Sequence, residues 1–143
     1  MTEVNFHTGM ADPLDYACRL LRKAQRSGAG VVVAGDPGLL DRLDALLWSF
    51  EPLEFIPHVR LRGGLVPAAH GVATPIWLTD DPREAPHHEV LVNLGPGVSA
   101  GFEGFQRLFE LVGIEPAERD AGRRRWQHFK ARGYPVVHQE VGG

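Results

Sequence analysis

The stretch GVVVAG at residues 30–35 constrains the fold more than any other. A short β-branched apolar run of this kind marks a strand buried on both faces, the habit of an interior parallel strand. A segment that opens on Asp-Pro and continues at helical spacing stands on either side of it. DPLDYACRLLRKAQRSG sets Leu14, Ala17, Cys18, Leu21 and Ala24 on one face, with Asp12 as N-cap, Pro13 in the first turn and Gly28 past the end. DPGLLDRLDALLWSF repeats the opening and carries Leu39, Leu40, Leu43, Leu46 and Leu47 at the same period. With TEVNFHT (2–8) as a first strand, the order is β-α-β-α. That order predicts an α/β fold: a single three-layer domain with a mostly parallel central sheet and helices on both faces.

The rest of the chain extends the pattern less regularly. Residues 51–73 have no clear period, and LRGGLVPAAHGVATP is rich in Gly, Ala and Pro, so a long loop is expected there, flexible near 61–73. TPIWLTD (74–80) and HEVLVNLG (88–95) read as strands, and so does QRLFELVGI (106–114), which is short for a helix and closed off by Gly113 and Pro116. Asp80 and Asp81 precede Pro82 in a turn, where Asp hydrogen-bonds its own backbone. Pro116 to Arg132 reads as a helix ended by Gly133, and YPVVHQEV as a short extended tail. At 143 residues the chain makes one domain, 1–143.

Several kinds of chemistry lack their signatures. The opening segment has no basic start followed by an apolar core, and no run of roughly 18 apolar residues exists, so neither a signal peptide nor a membrane span is expected. Cys18 is the only cysteine, which excludes an internal disulfide and suits a reducing cytoplasm. It falls on the apolar face of its helix, as a small buried hydrophobe does. GAGVVVAGDPG has glycines but neither phosphate-binding spacing, so a small nucleotide-binding α/β enzyme is a weak alternative. His87 and His88 are adjacent, and in a strand they point to opposite faces, which disfavours a shared metal. No serine sits in a nucleophile elbow. No catalytic residue, metal or cofactor is expected.

Charge is distributed unevenly. The chain carries a net −3, yet 117–132 holds six of its fifteen Lys and Arg residues and only two acids, leaving nine basic against sixteen acidic elsewhere. A protein that coats nucleic acid is basic over a broader surface, so a local basic pocket fits better. At about 100° per residue, Arg119, Arg123, Trp126 and Lys130 share one helical face. Guanidinium groups beside an indole can grip a carboxylate while the ring supplies apolar contact. The pattern equally admits a single strand of nucleic acid stacked on Trp126, or a solvated helix whose Trp packs on the sheet. A second constellation, LLWSFEPLEFIPH (46–58), gathers Trp48, Phe50, Phe55 and Ile56 where a helix gives way to a Pro-punctuated segment. Such rings are core residues or partner anchors.

Taken together, VNFHT, RLDALLWSFEPLEFIPH, TPIWLTD, PHHEVLVNLG and GRRRWQHFKARGYP resemble the chi subunit of bacterial DNA polymerase III holoenzyme, in the same order and nearly end to end. The resemblance implies an α/β accessory protein of the clamp-loader assembly with no catalytic centre of its own, belonging to a DNA-directed DNA polymerase holoenzyme. It implies binding of the acidic C-terminal tail of single-stranded DNA-binding protein, which ends in phenylalanine. Arg123 resembles the arginine for the tail's terminal carboxylate, Arg119 a basic position suited to its aspartates, Trp126 an aromatic beside the pocket and Val112 an apolar wall. Val137 and His138 are expected to close it. Gln127 stands where relatives can have a further cation, which shifts weight onto Arg119 and Lys130. Trp48 and Phe55 resemble the aromatic anchors for the psi subunit of the clamp loader or an equivalent partner, such as a repair helicase. Strong direct DNA binding is not expected.

Overall fold

In the computed structural model, which describes residues 1–49, 56–61 and 76–142, the chain alternates strand and helix from its start. Strand β1 (Glu3–Met10) leads into α1 (Pro13–Ser27), β2 (Val31–Ala34) and α2 (Pro37–Ser49). Then come β3 (Val59–Arg60), β4 (Ile76–Thr79), β5 (Val90–Asn93), β6 (Arg107–Gly113), α3 (Pro116–Ala131) and β7 (Val136–Glu140). The seven strands form one sheet in the order β3-β4-β2-β5-β6-β1-β7, and every neighbouring pair is parallel.

The helix ends obey the chemistry read from the sequence. The Asp12 side chain accepts hydrogen bonds from the Leu14 and Asp15 amides, and Gly28 takes a left-handed φ of 79° past the last turn. Asp36 accepts from Leu39 N at 2.9 Å at the start of α2. Asp81 accepts from Arg83 N at 3.1 Å and opens a 3₁₀ turn at Pro82–Glu84.

Strand alternation sorts the core into two layers. Val31, Val33, Ile76, Leu78, Val90 and Val92 face α1 and α2, where they meet Leu14, Ala17, Cys18, Leu21, Leu40, Leu43 and Leu47. Val32, Ala34, Trp77, Leu91, Leu108, Val4 and Phe6 face the other way, against Phe129 of α3 and against Phe102 and Phe105 of the GPGVSAGFEGF turn. Helices therefore cover both faces, α1 and α2 on one and α3 on the other, because the crossovers through α1 and α2 run toward the β3 edge and the one through α3 runs toward β7. Cys18 is 1% exposed, and burial first, then Asp15 and Asp12, pushes its thiol up to about 11. It is protonated and inert at neutral pH.

Two features differ from the sequence reading. Residues 136–140 are not a tail: they pair in parallel with β1, Val4 opposite Val136 through Thr8 opposite Glu140, and extend the sheet. Within the unpatterned region, Val59–Arg60 makes a two-residue edge strand on β4. The expected loop lies outside the described residues from residue 62 on.

A cation-rimmed cleft at the carboxyl ends of β1 and β6

Three elements converge where β1 and β6 end. Thr8 and Met10 straddle a break in the β1–β6 register, with Gly9 at φ 89° between them. The extra residue reverses the alternation: Val4 and Phe6 belong to the α3 side, but Met10 is buried on the α1 side. At the end of β6, a Cβ on Gly113 would come within 2.8 Å of Glu118 Oε2 and 2.9 Å of Pro13 Cγ. Only a glycine lets the first turns of α1 and α3 approach that point together. One turn further along α3, a Cβ on Gly122 would stand 2.9 Å from both γ-methyls of Val112. These close approaches set the depth of a cleft between α3, the strand ends and β7.

The cleft encloses about 590 Å³, and its floor is Phe6, Val112 and Gly122. Arg119 and Arg123 form the α3 wall with Trp126, while Thr8, His138 and Glu140 form the opposite wall. Trp126 is held edge-on by Phe6, ring centroids 5.2 Å apart, and by His138 at 5.9 Å. His138 Nε2 hydrogen-bonds Thr8 Oγ1 at 2.7 Å, tying β7 to β1 through side chains as well as backbone. Ile114, half exposed, adds an apolar lip.

The arginines of the rim are uncommitted. Arg123 approaches Asp120 only at 3.6 Å, with both side chains more than 60% exposed, a pairing of little strength. Arg119 is exposed and makes no ion pair among the described residues. Arg125 behaves oppositely. It is 4% exposed, and its Nε donates to Glu110 Oε1 at 2.8 Å while Nη1 donates to the Pro96 carbonyl at 2.9 Å. Asn93 Nδ2 donates to the same Glu110 oxygen at 2.8 Å. Burial pushes the Glu110 carboxyl up to about 7, against the downward pull of Arg125 and Asn93. This buried network fixes the rotation of α3 about its axis, which in turn points Arg119, Arg123 and Trp126 into the cleft.

Of the residues expected from sequence, Val112, Arg119, Arg123, Trp126 and His138 line this one cleft. Lys130 does not line it; its Nζ lies 5.8 Å from the Trp126 ring centroid, where it adds positive charge behind the indole. Val137 is 52% exposed and lies outside the lining. Phe6, Thr8, Gly9, Gly113, Ile114, Gly122 and Glu140 complete the cleft and were not expected from sequence. Their only sequence signals were the glycine interrupting the first strand and the glycine inside a helix, both costly unless a close approach needs them.

The second constellation is at the far side of the sheet. Trp48, at the end of α2, is 60% exposed and tilts over the His58 ring at 5.1 Å. His58 is held by Asp44 at 2.7 Å and by the Ile56 carbonyl at 2.8 Å. Ile56 is buried in the core, and Phe50 and Phe55 lie outside the described residues.

Fold and site together define a class: a three-layer α/β domain with an open cleft, basic on one wall and apolar at its floor, at the carboxyl ends of parallel strands. The family model described as DNA polymerase III chi subunit, HolC, matches residues 1–137. The chain is also 35% identical over 142 residues to the DNA polymerase III subunit chi of Pseudomonas aeruginosa, spanning 95% of this chain and 94% of that relative. The chain belongs to the DNA polymerase III chi subunit family.

Proposed function

We propose that this protein is a non-catalytic bridge in the replication machinery, and that its cleft captures the acidic C-terminal tail of single-stranded DNA-binding protein. The observation that carries this reading is the pairing of two uncommitted arginines, Arg119 and Arg123, with the apolar surface of Phe6, Val112 and Trp126 in a single cleft. A terminal carboxylate needs the first and a terminal phenylalanine ring needs the second. Arg123 takes the terminal carboxylate, Arg119 the preceding aspartates, and the Phe ring lies against Trp126 and Val112. The surface around Trp48 serves the clamp-loader side, through the psi subunit or an equivalent partner such as a repair helicase. Tethering then raises the concentration of the polymerase near coated template without any chemistry of its own.

The expected affinity is modest. A charge-assisted hydrogen bond contributes about 1.5–3 kcal/mol, and burial of a Phe side chain about the same. Against the ordering of a flexible tail, binding on the order of micromolar results, about −8 kcal/mol. The test is a fluorescence-anisotropy titration of a labelled acidic peptide ending in Asp-Ile-Pro-Phe, with labelled oligo-dT alongside. Wild type should bind the peptide in a salt-sensitive manner, and Arg123→Ala should lose at least tenfold. Tight binding of oligo-dT with no peptide affinity would make the cleft a nucleic-acid site instead.

A further inference from the structure

The α3 wall by itself does not distinguish a peptide from a nucleic acid. Arg119, Arg123, Trp126 and, behind the ring, Lys130 offer cations around a half-buried indole, a combination that stacks bases and holds phosphates as readily as it holds a carboxylate and a phenyl ring. The selective element is on the opposite wall. Thr8 and His138 engage one another there, so the one charged group facing the arginines from that side is Glu140. Among the described residues no ion pair neutralises Glu140. Its position is built rather than incidental. The side chain lies over Gly9, where a Cβ would stand 3.2 Å from Glu140 Cγ and 3.6 Å from Oε1. The bulged glycine thus leaves the room through which the carboxylate reaches the cleft.

We infer that Glu140 is the specificity-determining residue that excludes nucleic-acid strands from the cleft. An acidic peptide that ends in the cleft lays its terminal carboxylate and aspartates along the arginine wall and an uncharged ring on the floor, and its charges stop where the chain ends. A nucleic-acid strand carries a charge on every nucleotide, so seating one phosphate on the arginines drives the next toward Glu140. Like charge placed opposite a partner is a device for rejecting wrong ligands, and it acts here without weakening the apolar contacts.

For what the cleft admits, this inference rests on the peptide reading; what it keeps out is measured separately. Labelled oligo-dT and the labelled acidic peptide are titrated against wild type, Glu140→Gln, Glu140→Lys and Glu103→Lys, each checked by thermal unfolding. Glu103 is exposed on a 3₁₀ turn near the opposite ends of the strands, so its reversal makes the same change in net charge far from the cleft. Glu140→Gln should tighten oligo-dT binding by about threefold and Glu140→Lys by about tenfold, with a smaller gain for the peptide and less than about twofold from Glu103→Lys. Equal gains from Glu103→Lys, equal gains for peptide and oligo-dT, or no gain in either Glu140 variant would overturn it. If wild type ignores the peptide while Glu140→Lys still gains oligo-dT, the exclusion stands and the tail reading falls.

Discussion

Arg125 shows how one residue's role depends on where its helix turns. In sequence it is one of three consecutive arginines, and it reads as part of a cationic cluster. Yet at about 100° per residue it falls opposite Arg119 and Arg123, on the face shared by Ala121 and Phe129. The sequence carried the matching signal as well: Glu110 interrupts the apolar run LFELV, and an acid in a buried strand calls for a buried base. What it could not show was the non-local pairing of the two at 2.8 Å. The consequence is a measurable pH dependence. Burial lifts the Glu110 carboxyl from 4.5 to about 7, so between those values the native state holds a proton that the unfolded chain has released. This contribution to stability is fully present below about 4.5 and is lost as pH rises through about 7, amounting to about 3 kcal/mol. Urea denaturation of wild type and Glu110→Gln at pH 5 and pH 8 tests it. The stability of wild type relative to the glutamine variant should fall by that order across the interval, and a constant difference would show that Glu110 is ionised throughout.

At the scale of elements, the parts that sequence revealed are those whose pattern is local. Helices α1 and α2 announce themselves by caps and apolar period, and β2 by three consecutive valines. Strand β7 did not, because it is a mostly exposed edge whose residues VVHQE neither alternate nor cluster, and its partner β1 lies some 130 residues away. The cleft was half legible for the same reason: its α3 wall follows from helical period, while its β1 and β7 wall depends on pairing. The packing of α3 on β6 shows a similar conflict between local and non-local terms. Replacing Gly122 by alanine raises helix propensity by about 1 kcal/mol. However, the new Cβ would meet both γ-methyls of Val112 at 2.9 Å, and a buried β-branched side chain cannot turn aside cheaply. Overpacking of this kind costs about 1–3 kcal/mol, so Gly122→Ala should be net destabilising, by up to about 2 kcal/mol, in chemical denaturation. A stabilised variant would mean that α3 lifts freely from the sheet.

Over the whole molecule, strand order separates the two candidate surfaces. The cleft draws on β6, β1 and β7 at one end of the sheet. Trp48 rests on His58 beside β3 at the other, where Arg60 of β3 also reaches Asp41 of α2 at 3.2 Å. With strands about 4.8 Å apart, the edges of a seven-stranded sheet lie roughly 29 Å from each other. Among the described residues no charged group is shared between the two sites, and the layer between them is close-packed β2, β4 and β5. The proposed bridging role needs this arrangement, because two partners could then be held at once without steric conflict. Sites this far apart with no common contacts should act independently. Trp48→Ala is therefore expected to leave peptide affinity within about twofold of wild type, and Trp48→Ala combined with Arg123→Ala to lose only what Arg123→Ala loses. Anisotropy titrations of the three variants decide the matter. A loss of peptide binding in Trp48→Ala at unchanged stability would mean that the sheet couples its two edges, which would replace the passive tether proposed above with a switch between partners.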